Sequence, residues 1–111
     1  HEEAVELLRV VVEGRSKVLW EGHPKTLASV HALGSALVSQ GALAEAVEHF
    51  RTALTGRARS VGAEHLDTLA SAQALGQTLH SLGRYREAAR VLSTAVGARR
   101  RASGPAHPET V

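Results

Sequence analysis

The feature that most constrains this chain is a repeat of 42 residues. His23, His65 and His107 stand 42 positions apart. Each opens the same phrase: Gly22-His23-Pro24-Lys25-Thr26-Leu27, Glu64-His65-Leu66-Asp67-Thr68-Leu69 and Ala106-His107-Pro108-Glu109-Thr110-Val111. Residues 23–64 and 65–106 align without a gap and are identical at 18 of 42 positions. The opening residues continue the pattern backwards: Glu3-Ala4 pairs with Glu45-Ala46 and Glu87-Ala88, Arg15 with Arg57 and Arg99, and Val12 with Leu54 and Val96. A period of this length marks units that bury their apolar faces against neighbouring copies of themselves. The chain therefore divides into the second helix of a preceding repeat (1–22), two whole repeats (23–64 and 65–106) and the start of a further one (107–111), all within a single domain 1–111.

Within each repeat the apolar residues fall at helical spacing. Leu27, Val30, Leu33 and Leu37 form one stripe, and Leu43, Ala46, Val47, Phe50, Ala53 and Leu54 form a second. One repeat later the stripes read Leu69, Ala72, Leu75, Leu79 and then Tyr85, Ala88, Ala89, Leu92, Ala95, Val96. Pro24 suits the first position of a helix, where its missing N–H is not needed. Gly41, Gly62, Gly83 and Gly104 mark the stops, because glycine accepts the left-handed backbone of a helix terminus. The opening helix spans roughly Glu2 to Leu19. The expectation is an all-α array of about five helices in an antiparallel zigzag, curving into a superhelix. With a single Trp, Tyr and Phe, its core must be aliphatic and alanine-rich. Gly34 and Gly76 interrupt helices where glycine costs about 0.5–1 kcal/mol relative to alanine, so they predict close helix crossings, and Gly14 and Gly56 share another such position. Thr26, Thr68 and Thr110 lie in first turns, where a hydroxyl can satisfy free backbone N–H groups.

Composition removes several function classes. The 13 Lys and Arg against 11 Asp and Glu leave a net charge of +2, spread along the chain; only Arg99-Arg100-Arg101 forms a basic run. Nucleic acid is not expected as a partner, because its binders carry a larger basic face and a lone Tyr and Trp make no stacking platform. With no Cys, disulfides and thiolate metal sites are excluded, which suits a cytoplasmic setting. No apolar run approaches the roughly 20 residues of a membrane span. A chain with no Met that begins at His1 reads as a segment of a longer protein. No Gly-x-Ser-x-Gly elbow, His-Glu-x-x-His or glycine-rich phosphate loop is present, so no catalytic residue, cofactor or metal is expected. His23, His65 and His107 recur one per repeat, about 10 Å or more apart, which suits helix starts rather than a metal.

These residues resemble the tetratricopeptide repeat family. Leu33-Gly34, Leu37, Ala46, Phe50 and Ala53 match its hydrophobic signature, and Leu75-Gly76, Leu79, Ala88, Leu92 and Ala95 match it again. The long period, the His-Pro-x-Thr-Leu opening and the middles Gly41-Ala42-Leu43-Ala44-Glu45-Ala46 and Gly83-Arg84-Tyr85-Arg86-Glu87-Ala88 are similar to the longer-helix variety of kinesin light chains. That variety also recurs in bacterial proteins, to which the Ala, Arg and Gly content points. The resemblance implies a scaffold whose first helices line a concave groove for a protein or peptide partner. His31-Ala32 and Gln73-Ala74 stand where kinesin light chain repeats usually carry Asn-Asn, so the familiar amide clamp does not carry over.

His31, Ser35 and Val38 lie at i, i+4 and i+7 on a face apart from the apolar stripe, and Gln73, Gln77 and His80 are their equivalents. These six positions are the expected groove lining. Trp20 replaces a small loop residue, and either packs over a helix end or anchors an interface. The leading expectation is a protein- or peptide-binding module within a longer array. The alternative is a structural or self-associating segment, or a regulatory arm attached to a signalling ATPase, protease or transcription regulator. A homodimer through uncapped helical ends belongs to that alternative, since terminal repeats need polar caps.

Overall fold

A computed structural model describes residues 2–18 and 23–103, for 15–18 and 103 by the backbone alone. Trp20, Gly104, His107 and Thr110 lie outside the described residues, as does the segment 107–111. Five helices follow one another: α1 (Glu2–Val18), α2 (Pro24–Gln40), α3 (Leu43–Ser60), α4 (Leu66–Ser81) and α5 (Tyr85–Ser103). Each packs on the next in order, and α2 also meets α4. The result is the expected all-α solenoid of helix pairs.

The helix boundaries follow from local chemistry. His23 and His65 sit in extended backbone before α2 and α4, and the Nδ1 of each accepts the N–H two residues on, from Lys25 at 3.1 Å and Asp67 at 3.0 Å. The histidines, not the threonines, therefore cap these helices. Thr68 instead donates its hydroxyl to the carbonyl of Gly62 at 2.6 Å, tying the loop down, because the cap position is already filled by imidazole. At the other end Gly41 adopts φ +87°, while its N–H reaches Val38 O and that of Ala42 reaches Leu37 O. Gly83 repeats the arrangement at φ +83° with His80 O and Leu79 O. Both are Schellman turns, which need a residue at ease with positive φ.

The core is built from the periodic stripes. Leu27, Leu33, Leu37, Val47, Phe50, Leu75 and Leu79 are almost fully buried, with Ala46, Ala53, Ala88 and Ala98 letting backbones approach. Tyr85 and Val96 share the periodicity but are exposed at 61% and 47%. Their equivalents Leu43 and Leu54 face α4, and no described helix stands in the same relation to Tyr85 and Val96.

The mid-helix glycines are notches. A Cβ on Gly34 would stand 2.8 Å from the Phe50 ring, one on Gly56 2.5 Å from Leu27, and one on Gly76 2.5 Å from Leu92. Gly14 differs: nothing lies within 4 Å of its would-be Cβ, so its expected tight crossing is absent among the described residues. The residue related to Gly14 as Leu27 is to Gly56 falls before residue 1. On the outer side, Arg9 bonds Glu45 and Arg51 bonds Glu87, the same inter-repeat pair 42 residues apart.

These environments predict opposite signs for one substitution. Gly76→Ala gains helix propensity but drives a methyl into Leu92, and overpacking of about 1–3 kcal/mol exceeds that gain. A net loss of about 1 kcal/mol is expected. Gly14→Ala meets no neighbour and is expected to gain about 0.5–1 kcal/mol. Denaturant unfolding of the two variants checks the contrast.

Candidate peptide-binding groove

The first helices of the two repeats, α2 and α4, come together over a cleft of about 310 Å³. Its walls carry Ser35 and Val38 from α2, and Ala74, Gln77, Thr78 and Ser81 from α4; Leu43 and Phe50 of α3 reach it from beneath. Three of the six residues expected from sequence, Ser35, Val38 and Gln77, therefore share one cleft. Ser35 and Gln77 are exposed and Val38 is 38% exposed, so the wall they make is accessible.

The other three sit elsewhere. Gln73 is exposed on α4 but does not line the cleft. His80 lies edge-on to Tyr85, with ring centroids 4.9 Å apart. His31 is half-buried rather than free surface: its ring tilts against Phe50 at 5.1 Å, and its Nδ1 is 3.0 Å from the Ser71 hydroxyl. Arg57 of α3 donates to the same hydroxyl at 2.9 Å and to the Asp67 carbonyl at 3.0 Å. The guanidinium can only donate, so Ser71 Oγ accepts from Arg57 and keeps both a lone pair and its proton for the contact with His31 Nδ1. A polar chain thus ties α2, α3 and α4 beside the cleft.

The surroundings of His31 shift its protonation, burial first. Burial lowers its pKa from the ordinary 6.5, the nearby Arg57 lowers it further, and Asp67 opposes both. His49, half-buried, is lowered for the same first reason, burial, with Glu45 opposing.

Sequence reasoning missed Ala74, Thr78 and Ser81 of the α4 wall, and Ser71 beside it. The signal was a stripe of small residues at i, i+3, i+7 and i+10, repeated one period earlier as Ser29, Ala32, Ala36 and Ser39. Small side chains on the facing helix leave the space into which Ser35 and Val38 look. Arg57 and Leu43 were missed because they belong to the second helix, whose approach to the cleft depends on how the pairs stack.

Among the described residues no group of three or more His, Asp or Glu could hold a metal, and no helix is long and apolar enough to cross a membrane.

Comparisons with known proteins agree with this architecture. The family description "Tetratricopeptide repeat" matches residues 26–101. Two crystal structures of Podosopora anserina kinesin light chain nearly identical TPR-like repeats, one with a single substitution, are each similar at 33% identity, with TM-scores of 0.81 and 0.82. Each match covers 98% of this chain and 53% of the other, so the chain spans about half the length of those structures. No curated protein matches the chain.

The His31 network makes a pH prediction. A histidine whose folded pKa is lowered binds its proton more readily when unfolded, so stability rises with pH across that interval. Stability is therefore expected in full above about pH 6.5 and to fall as pH drops below it. His31→Gln, which installs the amide found at Gln73, is expected to flatten that fall and, above the carboxylate range in which Glu87 titrates, to leave the His49 share. Thermal melts by circular dichroism from neutral pH downward test it; an unchanged slope refutes the network's role.

Proposed function

The chain belongs to the tetratricopeptide repeat family, and from that premise we propose that it is a protein-interaction module of a longer cytoplasmic protein, holding a peptide or extended protein segment along the face where α2 and α4 meet. Repeat solenoids of this type act as scaffolds rather than catalysts, and present side chains of successive repeats at fixed spacing. The observation that carries the reading is the cleft itself, open, neutral and walled by Ser35, Val38 and Gln77 opposite small residues. Its chemistry suits a segment with a small apolar side chain for Val38 and backbone amides for Gln77, Ser35 and Thr78. His31, Gln73 and His80 extend the same face toward the neighbouring repeats. In this reading residues 1–22 supply the second helix of a preceding repeat, and 107–111 open the following one.

Panning a random peptide library on the isolated chain tests this. Enriched peptides are expected to bind the wild type and to lose about tenfold or more in affinity to Val38→Trp, which fills the cleft, and to Gln77→Ala in part. Peptides that bind wild type and Val38→Trp equally would place the binding face elsewhere.

A second reading, self-association, is favoured by α1. Leu7 and Val10 are exposed at 66% and 65%, apolar area that another helix would cover. Light scattering of the segment at increasing concentration is expected to show dimers that Leu7→Lys abolishes; a strict monomer at all concentrations excludes this reading.

A further inference from the structure

A second surface lies at the turn between α4 and α5, outside the cleft between α2 and α4. Gly83, Arg84, Tyr85, Arg86, Glu87 and Arg90 line one open depression of about 580 Å³. It holds three guanidinium groups and a single carboxylate. That carboxylate, Glu87, is already taken by Arg51 of α3, whose hydrogen bond, with Arg84 and Arg90 adding their charge, holds it below the usual carboxylate range. Arg84, Arg86 and Arg90 make no ion pair among the described residues. Tyr85 stands 61% exposed in their midst, steadied edge-on by His80.

The preceding repeat is an internal control. At the same places the α2–α3 turn has Ala42, Leu43, Ala44 and Glu48 where this one has Arg84, Tyr85, Arg86 and Arg90. The turn therefore needs no cation in order to fold. Local physics opposes the cations: Arg86 and Arg90 stand four apart on one helix, where like charges repel. Arg84 and Arg86 also crowd the start of α5, the end whose dipole disfavours positive charge. Groups that crowd one another and make no close ion pair, with only the already engaged Glu87 near them, are explained by an external anion, which relieves both penalties.

We propose that this depression is a docking surface for an acidic segment of a partner protein, with Arg84, Arg86 and Arg90 taking its carboxylates and Tyr85 packing against the chain between them. Charge complementarity selects the occupant. A single tyrosine already set edge-on to His80 offers no platform for successive bases. The surface is separate from the cleft, and the proposal does not rest on the cleft's occupancy.

Fluorescence anisotropy with a labelled hexaglutamate peptide tests it, at ionic strength of about 0.05 M so that surface charges are only partly screened. The wild type is expected to bind, and Arg84→Ala/Arg86→Ala/Arg90→Ala to bind about tenfold more weakly. Arg59→Ala/Arg99→Ala/Arg100→Ala removes the same charge from exposed positions elsewhere and is expected to lose less than about twofold. Val38→Trp, which fills the cleft, is expected to change nothing. Circular dichroism is expected to show the first triple variant as helical as the wild type and melting no lower, since the repulsions are gone. Equal losses in the two triple variants, loss of binding in Val38→Trp, no binding by the wild type, or tighter binding of hexathymidylate through the same arginines would each overturn the proposal.

Discussion

Everything in this molecule depends on how closely its helices approach, and that distance is set by glycine notches receiving large side chains. Gly34 takes Phe50 and, one repeat on, Gly76 takes Leu92, the same contact within each helix pair. Gly56 takes Leu27 in the same manner. A core with a single Phe fills space with aliphatic side chains and alanines, so it reaches interior density only if backbones come near one another. The local cost of a mid-helix glycine is small beside the contact it permits.

Close pairing within a repeat leaves the first helices to meet along their small-residue stripes, which is where the cleft opens. α2 presents His31, Ser35 and Val38, and α4 answers with Ser71, Ala74 and Thr78. The approach is secured at one end of the cleft by hydrogen bonds rather than apolar packing. Arg57 donates to Ser71, whose hydroxyl also meets His31 Nδ1. A half-buried polar chain of this kind is firm only while every member is satisfied, so protonation of one ring reaches three helices.

Two copies of one unit in the same chain separate packing from surface chemistry. Leu27 and Leu69, Leu33 and Leu75, Leu37 and Leu79, and Ala46 and Ala88 are identical pairs and all are buried. The exposed positions differ in kind: Ser35 against Gln77, Val38 against His80, Ala44 against Arg86, Glu48 against Arg90. The Arg9–Glu45 and Arg51–Glu87 pairs stand between, periodic yet solvent-facing, as suits contacts that hold repeat to repeat.

The architecture was legible in the residues because every repeat poses the same local problem: a histidine cap, an apolar stripe at helical spacing, a glycine to stop. Helix order, bounds and most of the core follow from that alone; the scaffold class of function came with the family resemblance. The site was legible only by halves. Helical geometry put Ser35, Val38 and Gln77 on an open face, but it could not say that His31 would be drawn inward onto Ser71, since those residues stand 40 apart and meet only when α2 and α4 stack. Nor could periodicity alone tell that Tyr85 would stand exposed while its equivalent Leu43 faces α4. Sequence periodicity determines what each helix must bury; which helix covers it, and what remains open beside it, is decided by the stacking of one pair upon the next.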